Sequence, residues 1–216
     1  LPRLRELYEQ ALALPGAVGL HIATRADCLP EPVLDLLSEI NGRTHLVVEL
    51  GLQTVHDETA RRIGRGHDYA AFLRGYESLN SRGIRVCVHI INGLPGEDRE
   101  MMLETARELA RLHAFSVKIH LLHIMRGTRL ADWYAAGEFS EMSLEDYAST
   151  VVSQLELLPP DTVIGRVTGD GAADGLVAPL WSRKKFVVMN EIDKELVRRG
   201  SMQGSRYAVN GSPHGV

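Results

Sequence analysis

"RVCVHIINGLPGE" (residues 85–97) is an apolar run, dense in β-branched residues, that stops abruptly at a Gly-Leu-Pro-Gly turn and an acidic residue. The run reads as a buried strand, and the turn into "DREMMLETARELARLH" reads as the entry to a helix. Two features ask for a reason. A buried strand carries His89 and Asn92, and its exit uses two glycines and a proline.

The same strand-then-helix reading repeats on either side. "LRELYEQALAL" (4–14) is helical, and "AVGLHIA" (17–23) is a strand bounded by Pro15-Gly16. "PEPVLDLLSEIN" has proline at its entry and apolar residues at helical spacing, and Asn41-Gly42 closes it. "HLVVELGL" (45–52) is the next strand, and "DYAAFLRGYESLNSRG" (68–83) is the helix that precedes the opening stretch. "SVKIHLLHI" (116–124) and "TVIGRV" (162–167) complete five strands. Between those two lie a short helix near "RLADWYAAG" and a long one over 143–158, whose Ser143 stands three residues before Asp146 in a capping pattern. A last helix, "KKFVVMNEIDKELVRR", leads into a tail rich in Gly, Ser and Asn that reads as loose.

Apolar strands alternating with helices specify an α/β fold, a parallel sheet covered by helices. Five units are too few for a closed eight-strand barrel, which takes about 250 residues. No GxGxxG follows the first strand, so a dinucleotide fold has no direct support. The choice is between a doubly wound sheet and a (β/α) barrel, and the division expected is a strand-and-helix portion over residues 1–170 and a C-terminal extension over 171–216.

Bulk properties narrow the function. A length of 216 residues suits one sizeable core. The net charge of -4 argues against a broad nucleic-acid footprint, while leaving room for a local basic patch such as Arg183, Lys184 and Lys185. No apolar stretch approaches the roughly 18 residues of a spanning helix, and no charged-then-apolar leader is present, so a cytoplasmic protein is expected. Cys28 and Cys87 are isolated and supply no four-thiolate site.

In parallel α/β folds the site lies at the C-terminal ends of the strands. The polar residues there are Thr24, Arg25 and Asp27, then Glu49 and Gln53, His89 and Asn92, Lys118, His120 and His123, and Arg166, Thr168 and Asp170. Burying each without a partner costs about 1–3 kcal/mol, so they either meet a polar ligand or pair with one another. His120 and His123 are three apart on a strand and face opposite sides, so they share one metal only across a bend; with His89 they make either a metal site or, as is more usual, hydrogen-bonded strand residues. The glycine turn either lets the backbone approach a ligand or only makes a tight connection.

"TRADCLPEPVLDLL", "VELGLQTVHDETARRIGRGHDYAAF", "GIRVCVHIINGLPGE", "KIHLLHIMRGTRL" and "APLWS" together resemble the radical S-adenosylmethionine (SAM) superfamily, in its YhcC-like group related to the Elongator catalytic subunit. The resemblance runs in order through nearly the whole chain. It implies a partial (β/α) barrel that binds SAM across the strand ends, with a [4Fe-4S] cluster held by three cysteines in a loop. It also implies reductive cleavage of SAM to a 5′-deoxyadenosyl radical. No cysteine triplet is present, so the chain is expected to be the portion of such an enzyme that lacks the cluster loop and the first strands, and to be inactive by itself.

By the same resemblance, Gln53 of "LGLQT" reaches the SAM ribose, with Glu49 beside it, and Arg65 of "GRGHD" lies towards the SAM carboxylate. His89 stands where relatives carry an acidic ribose-binding residue. Asn92, Gly93 and the glycine turn face the nucleoside, and Arg25 of "TRAD" completes the cofactor set. Lys118, His120 and His123 are substrate candidates, for a substrate that is unknown and RNA-related by analogy with Elongator. The competing expectations are a non-catalytic SAM- or nucleoside-binding scaffold without the cluster, and an unrelated phosphate-binding barrel enzyme.

Overall fold

The computed structural model describes residues 1–169 and 174–208. Five strands form one sheet: β1 (Gly19–Thr24), β2 (His45–Gln53), β3 (Arg85–Asn92), β4 (Ser116–Leu121) and β6 (Val163–Arg166), in that order. Every neighbouring pair is parallel, as the alternation of strands and helices requires. Each crossover carries a helix: α2 (Glu31–Asn41), α4 (Tyr69–Asn80), α5 (Arg99–Arg111) and α7 (Leu144–Leu157). Helix α1 (Pro2–Leu12) precedes the sheet, and α8 (Lys185–Arg199) closes the described chain.

The strands alternate more strictly than their hydropathy shows. Leu46, Val48, Leu50 and Leu52 of β2, Val86, Val88 and Ile90 of β3, and Val117, Ile119 and Leu121 of β4 belong to the buried core, with Leu34, Leu37, Phe72, Leu109, Tyr147 and Val151 of the helices. The other face carries Glu49, Gly51 and Gln53 on β2, His89 on β3, and Lys118 and His120 on β4, all partly accessible. Side chains point alternately to the two faces of a strand, so one strand serves the core and the site together.

Helix starts follow side-chain caps. Ser143 Oγ accepts from Asp146 N at 3.0 Å, as its spacing predicts, and Asp68 and Asp98 cap α4 and α5 through Ala71 N and Met101 N. Two elements escape the periodicity. The six-residue α3 (Asp57–Arg62) is too short for an apolar stripe to register, and β5 (Ile124–Met125) pairs antiparallel with β7 (Leu176–Ala178) across two- and three-residue runs. Helix α6 (Arg129–Ala135) lies between them in sequence.

Two expectations are corrected. Asn92 does not share a face with His89, because three residues along a strand reverse the side chain. It is buried in the helix layer, where its amide and that of Gln154 on α7 exchange two hydrogen bonds of 2.8 Å, and Gln154 also donates to Met102 O of α5. The segment after Gly200, loose by composition, is tied to α7 as far as it is described. Gly204 N donates to Leu155 O, Arg206 N to Glu156 O, and the Gln203 amide to Pro159 O and Thr162 O. Residues 209–216, and Asp170 with them, lie outside the described residues.

Candidate functional site

The open face of the sheet is built from the middle of three strands. Glu49 Oε2 accepts from Lys118 Nζ at 2.7 Å and faces His89 Nε2 at 2.9 Å, and Glu49 Oε1 faces His21 Nδ1 at 3.1 Å. His89 Nδ1 then meets His120 Nε2 at 3.2 Å, with the two rings stacked at 5.0 Å between centroids. The register explains the meeting: Gly51, His89 and Lys118 are aligned across β2, β3 and β4. Glu49 sits one step back on the same face. The signal for His21 was present in "AVGLHIA", since strand alternation puts it opposite Ile22, which belongs to the core.

Electrostatics follow from burial and partners. Burial alone would raise the Glu49 carboxyl, but the Lys118 and His21 contacts outweigh it and hold the group at about 2. Burial lowers His120 to about 4, and the cationic Arg166 and Lys118 act in the same direction. His89 is lowered as well, by burial and against the pull of Glu49. Both histidine shifts favour the neutral imidazole, beside a Glu49 carboxyl held in its ionised form. Both ring nitrogens of His89 are engaged, so it accepts from a ligand hydroxyl only by giving up one of these partners.

At the C-terminal end of β2 the backbone is irregular. The ladder to β3 shifts between Gly51 and Gln53, and Gln53 adopts φ +74°. That left-handed conformation costs a non-glycine residue about 1–3 kcal/mol and is held by its surroundings. Arg65 Nη2 donates to Gly51 O at 2.6 Å, and Arg65 Nε is buried without a partner. A methyl group at Gly51 would stand 2.6 Å from Gln53 Nε2 and 2.8 Å from Arg65 Nη2. Glycine is what lets an amide and a guanidinium share this spot. The Gln53 side chain makes no hydrogen bond among the described residues.

The glycine turn after β3 serves this end. Gly93 and Gly96 take φ +84° and +91°, which accounts for both glycines. Glu97, at the turn's exit, accepts from Thr54 Oγ1, the residue after Gln53. Burial raises the Glu97 carboxyl, and the Thr54 and Thr59 hydroxyls offset that only in part. Leu94 of the turn joins Ile63, Ile91, Leu122, Arg129 and Trp133 around a cavity of about 300 Å³. Arg129 and Arg62 both lie over the Trp133 ring, at 4.9 and 5.6 Å.

The remaining candidates separate. Arg25 is committed to Asp27, whose Oδ1 it reaches through Nε at 2.9 Å. His123 follows the end of β4, so strand alternation no longer applies to it. It bonds Ser182 Oγ at 3.2 Å, and a methyl group at Gly169 would touch it at 3.0 Å and His120 at 3.8 Å. The two histidines therefore flank one glycine instead of facing opposite sides. Among the described residues no group of three or more His, Cys, Asp or Glu is placed to hold a metal ion, and no helix is long and apolar enough to cross a membrane.

Comparison with known proteins fits this layout. The radical SAM superfamily profile matches residues 1–109, and that of the Radical_SAM C-terminal domain matches residues 115–198. The chain belongs to the radical SAM superfamily. It is 51% identical over 204 residues to the uncharacterised protein YtqA of Bacillus subtilis, covering 94% of this chain and 63% of YtqA. It is 39% identical to protein YhcC of Escherichia coli, covering 94% of this chain and 65% of YhcC. Human Elongator complex protein 3 is 30% identical over 162 residues, covering 73% of this chain and 29% of that protein. The chain thus spans less than two thirds of the length of these relatives.

Among solved structures, the archaeal Methanocaldococcus infernus Elp3 superposes with a TM-score of 0.76 at 24% identity, covering 86% of this chain and 43% of Elp3. Methylornithine synthase (PylB) does so at 0.58 and 15% identity, covering 94% of this chain and 63% of PylB. The fold is a partial barrel of the radical SAM type.

The cofactors of the superfamily fit this chain unequally. The uncommitted Gln53 amide and the orphaned Arg65 Nε suit a polar ligand such as SAM. The cluster does not fit. Three thiolates are needed for three irons, whereas Cys28 is exposed after β1 and Cys87 is buried within β3.

Proposed function

We propose that this chain is the SAM cradle and substrate-facing wall of a radical SAM enzyme, whose reaction would begin with reductive cleavage of SAM. The observation that carries the reading is the meeting over Gly51 of the uncommitted Gln53 amide and Arg65, whose Nη2 is held by Gly51 O and whose Nε has no partner. Gln53 would take the ribose hydroxyls and Arg65 the SAM carboxylate, since a planar fork suits a carboxylate. Gly93 and its turn would lie beside the base, and Glu49 and His89 would set the charge of the wall behind it. Arg25 would act through the loop carrying Arg65, because its own guanidinium is paired. Lys118, His120 and His123 would face the substrate, whose RNA-related character is proposed by analogy with the Elongator relatives. The division into a barrel over 1–170 and an extension over 171–216 belongs to the same proposal.

No step through the cluster is assigned to these residues. The second reading, a nucleoside-binding scaffold, is favoured by the two separated cysteines.

Two experiments separate these readings. Equilibrium dialysis with labelled SAM is expected to show weak binding by residues 1–216, reduced at least tenfold by Gln53→Ala or Arg65→Ala. Anaerobic reconstitution with iron and sulfide is expected to give 5′-deoxyadenosine from the protein at the full length of its relatives and none from residues 1–216. Retention of SAM by both variants would sink the cradle. A full-length protein that binds SAM but never cleaves it would leave the scaffold.

A further inference from the structure

The outer surface carries a second polar site, remote in chemistry from the barrel wall. Between α5, α7, the end of α8 and the segment that follows it run two adjoining clefts of about 400 and 390 Å³, which share Arg107, Leu157 and Arg206 as lining. Six arginines border them: Arg99, Arg107, Arg111, Arg198, Arg199 and Arg206. Four carboxylates answer these cations: Glu100 pairs with Arg107, Glu108 with Arg111, Glu195 with Arg198 and Arg199, and Glu156 with Arg199 and Arg206. The local balance is positive in a chain whose net charge is -4.

The arrangement at Ser153 sharpens this. Arg99 Nη2 and Arg199 Nη1 both donate to Ser153 Oγ, at 2.7 and 2.8 Å, and both also reach Ser149 O. Two guanidinium groups are thereby held side by side on a neutral hydroxyl, and Arg99 has no carboxylate partner among the described residues. Arg199 has Glu195 and Glu156 beside it, so Arg99 is the guanidinium of the pair left without an anion. Arg199 is pinned and mostly buried, so it acts as a fixed charge. Arg107, Arg198 and Arg206 are largely exposed and turn towards solvent. Tyr207 adds an aromatic ring at the second cleft, edge-on to His113.

We propose that these joined clefts bind the phosphodiester backbone of a single-stranded nucleic acid. Guanidinium forks match phosphate oxygens. Two clefts sharing a wall give consecutive phosphates separate seats, and the partly accessible ring of Tyr207 offers an aromatic surface against which a base can pack. The inference does not depend on SAM binding, so the site can be tested in protein without a cluster.

The test is fluorescence anisotropy of a fluorescein-labelled oligouridylate titrated with residues 1–216 across a range of potassium chloride concentrations. The expected result is binding that weakens steeply with salt. The Arg107→Gln/Arg198→Gln double variant should weaken it about tenfold and reduce the slope of log K against log salt by about 1.4, two contacts at roughly 0.7 each. Arg206→Gln, made separately, should weaken it in the same direction, and Arg3→Gln on α1 should leave it unchanged. Circular dichroism melts accompany each variant, and the comparison uses those that fold. Absence of salt-dependent binding, or the same affinity in the folded cleft variants as in the parent, would overturn the proposal. Displacement by polyglutamate as effective as by unlabelled oligonucleotide would also overturn it, in favour of an acidic peptide.

Discussion

Lys118 Nζ lies 2.7 Å from Glu49 Oε2, although 69 residues separate the two in sequence. Their side chains are 21% and 15% exposed, so the pair is screened only in part. Glu49→Gln is expected to destabilise the fold by about 2–3 kcal/mol, because it removes the negative charge that faces the Lys118 ammonium, His89 and His21. Lys118→Met should cost about as much. The double variant should lose less than the two single changes together, since neither charge is then stranded. Urea unfolding of the four proteins measures this, and strictly additive losses would show that the pair carries no coupling.

Acid should act on this wall in two stages. The His120 value, lowered by burial from 6.5 to about 4, means that the unfolded chain binds a proton in that interval while the folded chain does not. Stability is therefore complete above 6.5 and falls as pH drops towards 4. The lowered Glu49 value adds stability that is present above the ordinary carboxylate pKa and lost as pH falls through about 2. Unfolding free energies between pH 7 and 4 should decline, and His120→Gln should flatten that decline relative to the parent. An unchanged slope would mean that His120 titrates alike in the folded and the unfolded protein.

The buried amide pair of Asn92 and Gln154 is a second test, this time of a structural role. Asn92→Leu is expected to cost about 2–3 kcal/mol because it leaves Gln154 Oε1 without a donor inside the helix layer, while Gln154 Nε2 keeps Met102 O. Asn92→Leu/Gln154→Leu should recover part of that loss. SAM binding by the folded Asn92→Leu variant should match that of the parent protein. A specific loss of SAM binding would return Asn92 to the site from which its position removes it.

The order of strands and helices was legible because each strand's apolar run is bounded by glycine, proline or a cap, as at Gly42, Gly83 and Ser143. The direction of side chains was less legible. "HLVVELGL" and "RVCVHIIN" look uniformly apolar, since Val47 and Cys87 are apolar on the open face while Asn92 is polar on the core face. Hydropathy alone cannot fix the phase of such a strand, and register with its neighbours decides it. That is why Glu49 and His89 were found together with Asn92 in sequence but part company in space. Gly51 was passed over because a missing side chain leaves no chemical signal. The arginine clefts draw on α5, α8 and the terminal segment, which only tertiary packing brings together.

Gly51 gives the sharpest separation of fold from site. The methyl group of Gly51→Ala would stand 2.6 Å from Gln53 Nε2 and 2.8 Å from Arg65 Nη2, closer than carbon and nitrogen tolerate. Both atoms are the ends of long side chains, so they can swing aside while the apolar face of β2, with Leu50 and Leu52, stays packed. The expected outcome is a melting temperature within a few degrees of the parent and SAM binding weakened at least tenfold. Gln53→Gly makes the converse case: it relieves the left-handed φ of +74° and should stabilise the fold by about 1 kcal/mol, while removing the amide that would hold the ribose. If Gly51→Ala binds SAM as the parent does, the space over Gly51 is not the ligand seat; if Gln53→Gly destabilises, the strained backbone is not strained at all.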